Sequence, residues 1–121
     1  MGLDVYFTRK NSNGDDIAEQ YFRKPNMILS HVEKCLGHEM ENCVDHRLEV
    51  VHVLELIDKI KVVLADHSKA EEVLPLQSGF FFGGTVYDEY YFDDLEYIRD
   101  DLEELMKDHK EDDYIMFHAW W

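Results

Sequence analysis

Between residues 47 and 66 the chain places an apolar side chain on almost every turn of a helix. Leu48, Val51, Leu54, Ile57 and Leu64 fall in one set, and Val50, Val53, Ile60 and Val63 widen it. Spacings of three and four residues are helical, and the length of the run argues against a strand despite its many β-branched residues. So wide a stripe has to be covered on most sides, which predicts a central helix. A second run offers the cover. Across residues 88–109, Leu95, Ile98, Leu102, Leu105 and His109 are spaced 3, 4, 3 and 4, an amphipathic seam.

The remaining segments are shorter. Residues 3–8 alternate Leu3, Val5 and Phe7 against Asp4, Tyr6 and Thr8, the pattern of a strand. Residues 11–16 are all turn formers, and Asp15 or Asp16 is placed to cap a short helix running through Phe22. Pro25 suits the first turn of a helix over 26–36 that stops at Gly37. Residues 38–47 read as polar and irregular, residues 74–78 as extended chain, and residues 114–121 as a strand. Between them, Phe80, Phe81 and Phe82 stand among Gly79, Gly83 and Gly84 and cannot all face one way. The expected fold is α+β and mainly helical, with two long packed helices and a small antiparallel sheet pairing the N- and C-terminal strands. At 121 residues it is expected to be a single domain, 1–121.

Composition narrows the function classes. With 45% hydrophobic residues a packed core is attainable, and disorder is excluded. Twelve Lys and Arg against 27 Asp and Glu give a net charge of −15, which disfavours direct nucleic-acid binding, since phosphate neutralisation needs cations. No run is long and apolar enough for a membrane span. Residues 1–6 lack the cationic and apolar regions of a signal peptide, and Tyr6 stands where N-myristoylation requires Ser or Thr. Cys35 and Cys43 are too few for a disulfide scaffold. The expectation is a soluble cytoplasmic protein.

Three constellations could carry chemistry. Cys35 and His38, then Cys43 and His46, form two Cys-x-x-His pairs, a donor set that suits a tetrahedral zinc site. The spacing differs from the usual finger patterns, and seven histidines in the chain make such coincidences cheap. The second constellation is acidic. Residues 81–121 hold 13 acids against three Lys and Arg. Asp93, Asp94, Glu96, Asp100, Asp101, Glu104 and Asp108 concentrate this excess on one predicted helix and its end, where carboxylates on adjacent turns stand about 5–6 Å apart. Such a face can compete for the basic groove of a nucleic-acid enzyme, though solvated acidic faces are also common. The third is a ligand pocket built from Arg23, Lys24, Asn26, Phe82, Tyr87 and Tyr91, where a cationic fork and phenols would orient a nucleotide or another anion. Catalysis has little support. There is no nucleophile elbow, P-loop or Rossmann glycine pattern, and none of the four serines stands in a nucleophile motif.

Three stretches resemble a family of short, uncharacterised bacteriophage and prophage proteins. They are the opening Met1-Gly2-Leu3-Asp4-Val5-Tyr6, the stretch Tyr21-Phe22-Arg23-Lys24-Pro25-Asn26-Met27-Ile28, and the block Leu74-Pro75-Leu76-Gln77-Ser78-Gly79-Phe80-Phe81-Phe82-Gly83-Gly84-Thr85 followed by Tyr87-Asp88-Glu89-Tyr90-Tyr91. Phe22 stands where the family has Trp. The resemblance implies a phage or mobile-element origin and action inside the host cell, and supplies no catalytic residue. The two Cys-x-x-His pairs lie outside its pattern. The leading expectation is an acidic accessory protein that binds and modulates a host protein, such as a nucleic-acid-directed defence enzyme. The alternative is a small-ligand binder or enzyme around Arg23 and Tyr87. No cofactor is expected beyond the zinc considered above, and the oligomeric state is left open.

Overall fold

The computed structural model describes residues 2–77 and 86–121. Strand β1 (Asp4–Lys10) turns back into β2 (Asp16–Arg23). The turn is built by Asn11, whose side-chain oxygen accepts from the Asn13 and Asp15 N–H groups at 3.0 and 2.9 Å, and by Gly14 at φ 85°. A 3-10 turn at Asn26–Ile28 leads into α1 (Leu29–Leu36), closed by Gly37 in the left-handed conformation at φ 78°. Then follow β3 (Val44–Glu49), α2 (Val50–Ala65), a 3-10 turn at His67–Lys69, α3 (Ala70–Val73), α4 (Glu89–Leu105) and β4 (Tyr114–Trp120).

The four strands form one antiparallel sheet in the order β2-β1-β4-β3. This overturns the expectation of a mainly helical chain with two long helices and a small two-stranded sheet: the architecture is a four-stranded sheet with four helices. Two misread segments account for the difference. Residues 16–23 form an edge strand, not a capped helix. In β2, Ala18, Gln20 and Phe22 face inward while Ile17 and Tyr21 face solvent, so apolar residues on both faces hide the period of two. Residues 44–49 are a strand whose inward positions include His46 and Leu48, so its alternation is carried partly by a buried histidine.

One sheet face is covered by the helices. Phe7, at its centre, meets Phe22 and Phe117 edge to face, with ring centroids 5.9 and 5.2 Å apart. Above these rings lie Leu56, Ile60 and Val63 of α2 and Leu95, Ile98 and Leu102 of α4, all buried. The other sheet face is open and polar-aromatic.

One charged residue also faces inward. Arg9 of β1 is buried, and each of its three guanidinium nitrogens donates a hydrogen bond. Nε donates to the Leu105 carbonyl at 2.7 Å, Nη2 to the Lys107 carbonyl at 3.1 Å, and Nη1 to Asp113 Oδ2 at 2.7 Å. The same carboxylate oxygen accepts from the Lys110 N–H at 2.9 Å. Arg9 thus satisfies carbonyls at the C-terminal end of α4, where helices leave acceptors unpaired and favour positive charge. The Lys110 N–H and the Arg9 guanidinium hold the Asp113 carboxyl below its ordinary pKa of 3.8. A depressed carboxylate stabilises the fold above its unfolded value and loses that contribution as pH falls through its folded value. We expect Arg9→Ala to cost about 3–5 kcal/mol in urea unfolding at pH 7, by leaving the buried Asp113 carboxylate without its cation and two carbonyls without their donor. The loss of stability below about pH 4 should also become shallower in that variant. A cost under about 1 kcal/mol would mean that the pair behaves as an exposed one.

Candidate functional site

Helix α4 is sharply two-sided. Asp88 starts it by accepting from the Tyr91 N–H at 3.2 Å, and Tyr91, Leu95, Ile98, Leu102 and Leu105 bury its inner side. On the outer side Asp93, Glu96, Asp100, Glu103 and Glu104 are exposed, with Asp94 and Asp101 half-buried on one shoulder. Asp108 is exposed just beyond the helix, at φ 58°. All seven acids named from sequence therefore lie on α4 or immediately after it. Cations are scarce on this side: Arg99 reaches Asp100 at 3.1 Å, and Lys61 of α2 reaches Glu103 at 3.3 Å. Among the described residues no ion pair forms to Asp93, Asp94, Glu96, Asp101 or Glu104. Burial, with Asp93 and Asp88 nearby, raises the Asp94 pKa.

Two tyrosines accompany the acids. Tyr90 is 70% exposed and Tyr97, seven residues on and on the same side, is 42% exposed. The Tyr97 ring lies 6.3 Å from Phe22, which seats its base against the core. Exposed tyrosines beside carboxylates add apolar contact area to an otherwise charged surface. The seven-residue spacing of Tyr90 and Tyr97 is legible in the sequence as one helical face.

The residues of the expected ligand pocket have other employment. Asn26 is buried and clamps the Gln77 backbone: its amide donates to the Gln77 carbonyl at 2.8 Å, and its oxygen accepts from the Gln77 N–H at 2.7 Å. The Tyr87 hydroxyl oxygen accepts from the Leu76 N–H at 3.0 Å, and the Tyr91 hydroxyl donates to the Leu74 carbonyl at 2.8 Å. Three of the six residues thus converge on Leu74–Gln77. Arg23 and Lys24 are exposed, Lys24 at φ 53°, and Phe82 lies outside the described residues.

The expected zinc ligands do not gather. The His38 and His46 rings stand 5.5 Å apart, but Cys43 is exposed with its sulfur on Asn42. His46 Nε2 accepts from the Glu41 N–H at 3.2 Å, and the His38 ring is held by the Glu39 carbonyl at 2.7 Å. Cys35 faces a different neighbour. Its sulfur is 3.4 Å from Nε2 of His31, four residues earlier on α1. Glu55 of α2 completes a group whose donor atoms lie within 4.8 Å of one another. It opens into a cleft of about 420 Å³ lined also by Lys34, Val51, His52 and Lys59. The His-x-x-x-Cys spacing was legible in the sequence as one helical face; the approach of Glu55 was not.

The open sheet face carries Tyr6, Tyr21, Tyr114, Met116 and His118. Its polar groups are largely spent on one another. Arg47 stacks 4.2 Å above the Tyr114 ring, His118 Nδ1 is 2.8 Å from Asp45, and the Tyr21 hydroxyl donates to Asp4.

Compared with family models, curated proteins and solved structures, the chain matches none of them. No helix among the described residues is long and apolar enough to cross a membrane.

The clamp on Leu74–Gln77 makes a direct prediction. Tyr91→Phe should cost about 1–3 kcal/mol in urea unfolding, because the Leu74 carbonyl loses its donor in a buried place. A change within about 0.5 kcal/mol would show that the bond contributes little.

Proposed function

We propose that this chain is a small acidic accessory protein of a phage or prophage that acts in the host cytoplasm by docking on a basic surface of a host protein. The observation that carries this reading is the outer side of α4, where five exposed carboxylates accompany two exposed tyrosines while the fold spends few cations on them. A nucleic-acid-directed defence enzyme is the partner class that fits. Its groove is basic, and carboxylates on successive turns recur about every 5–6 Å, near the spacing of phosphates along one strand. Binding would be stoichiometric, without turnover, and weakened by salt. Relief of the crowding around Asp94 favours a cationic partner further.

The alternative of a small-ligand site around Arg23 and Tyr87 has less behind it, because Asn26, Tyr87 and Tyr91 are committed to the Leu74–Gln77 backbone.

The test is affinity capture from nuclease-treated host lysate with the wild-type chain and with Asp93→Lys/Asp100→Lys/Glu104→Lys. All three positions are exposed, so the variant should keep the wild-type circular dichroism spectrum. The expected result is one dominant partner on the wild type, removed by raised salt and absent from the variant. A folded variant that captures the same partner equally well would contradict docking through α4.

A further inference from the structure

We propose that the open face of the sheet is the interface of a homodimer, in which two copies of the chain stack their sheets face to face about a two-fold axis. No residue of α4 belongs to this face, because the helices cover the opposite one. Alternation sends every second strand residue to the open side, and the strand register sets those residues in four rows across the sheet. One end row is Arg23, Asp4 and Trp120, and the other is Asp16, Lys10, Tyr114 and Glu49. Between them lie Tyr21, Tyr6, His118 and Asp45, then Glu19, Thr8, Met116 and Arg47. Two of the aromatic side chains are left well exposed, Trp120 at 44% and Tyr21 at 46%.

The order of charges on these rows selects a second copy as the occupant. A two-fold axis midway between the sheets and running across the strands lays each end row over the partner's opposite end row, and each inner row over the partner's other inner row. Arg23 then meets the partner's Asp16, Asp4 meets the partner's Lys10, and Asp45 meets the partner's Arg47. Trp120 lies over the partner's Tyr114, and the Tyr21 hydroxyl reaches the partner's Glu19. Glu49 falls beyond the end of the partner's β3. No carboxylate lies over another, and the symmetry makes every contact twice. An axis running along the strands is disfavoured, since it would set Asp16 over the partner's Glu49. Packed sheets stand about 10 Å apart and cross at about 30°, a spread that the long Arg, Lys and Glu side chains bridge.

The face is also prepared to lose water. Lys10 holds Asp16 at 2.6 Å, His118 Nδ1 is 2.8 Å from Asp45, and Arg47 lies 4.2 Å above the Tyr114 ring. Burying charges that already have partners costs less than burying lone ones. Lys10, Arg23 and Arg47 offset most of Asp4, Asp16, Glu19, Asp45 and Glu49, so this face carries little of the net charge of −15. The acids of α4 end on the two outer sides of the dimer, far from one another. Strand spacing and rise make the face roughly 19 by 23 Å. With side-chain relief that is on the order of 600 Å² of accessible surface per copy, and about 1,200 Å² per dimer is the lower edge for a specific interface. A dimer of this size should dissociate in the micromolar range.

The test is analytical ultracentrifugation of the full chain, reduced and in moderate salt, across a dilution series spanning the micromolar range. The wild type should show a reversible monomer–dimer equilibrium. Arg47→Glu sets a carboxylate over the partner's Asp45 and should weaken the dimer at least about tenfold, because the symmetry counts the pair twice. The charge swap Asp45→Arg/Arg47→Glu should restore the wild-type affinity to within about threefold. Both residues are exposed on an edge strand, so these variants should keep the wild-type circular dichroism spectrum. Met116→Arg distinguishes face-to-face stacking from pairing of strand edges. Met116 lies on β4, inside the sheet, so the variant should abolish stacking while leaving the edges untouched. A wild type that stays monomeric throughout, a dimer that survives Met116→Arg, or a charge swap as weak as Arg47→Glu alone would overturn the proposal.

Discussion

The buried Arg9 guanidinium is the interaction to which much of the rest is tied. It joins residues 96 to 104 positions apart in sequence, linking an inner strand of the sheet to the end of α4 and to the connection into β4. Its three bonds are spatially specific, because a planar fork with fixed donors accepts few arrangements of partners. A purely apolar contact at this place would let α4 roll or slide on the sheet. The ionic clamp sets the end of the helix, and the inner row Leu95, Ile98 and Leu102 sets its rotation. Together they fix which side of α4 is presented to solvent. The orientation of the acidic surface thus follows from the fold and not from any interaction among the acids themselves.

Much of the helical part of this architecture was legible in the sequence. The apolar spacing across residues 47–66 and 88–109 located α2 and α4, and Gly37 marked the end of α1. The sheet was half hidden. Tyr21 and Ile17 face solvent on an edge strand, so β2 shows no clean alternation, and β3 includes a histidine among its inward positions. Asn13-Gly14 was nevertheless a hairpin signal, and Asn11 is the residue that organises the turn. Arg9 looked like an ordinary strand charge, because nothing local announces a partner more than a hundred residues away.

The candidate sites divide along the same line. The acids on α4 were visible because a charge run on a helix is local information. The His31–Cys35 pair was equally local but was passed over for the Cys-x-x-His spacing around it, which puts residues on opposite sides of Gly37 and of the turn into β3. Glu55 required the packing of α1 on α2. Asn26, Tyr87 and Tyr91, expected to line a ligand pocket, instead find their partners in backbone groups of Leu74–Gln77.

The central claim is that β1, the end of α4 and β4 form one cooperative unit that fixes the acidic surface in place. Native-state amide hydrogen exchange measures this directly. The amides of Phe7, Arg9, Leu102, Leu105 and Phe117 should all open with the same free energy and the same denaturant dependence, that of global unfolding. Opening of the α4 amides at a clearly lower free energy, while β1 and β4 stay protected, would contradict it.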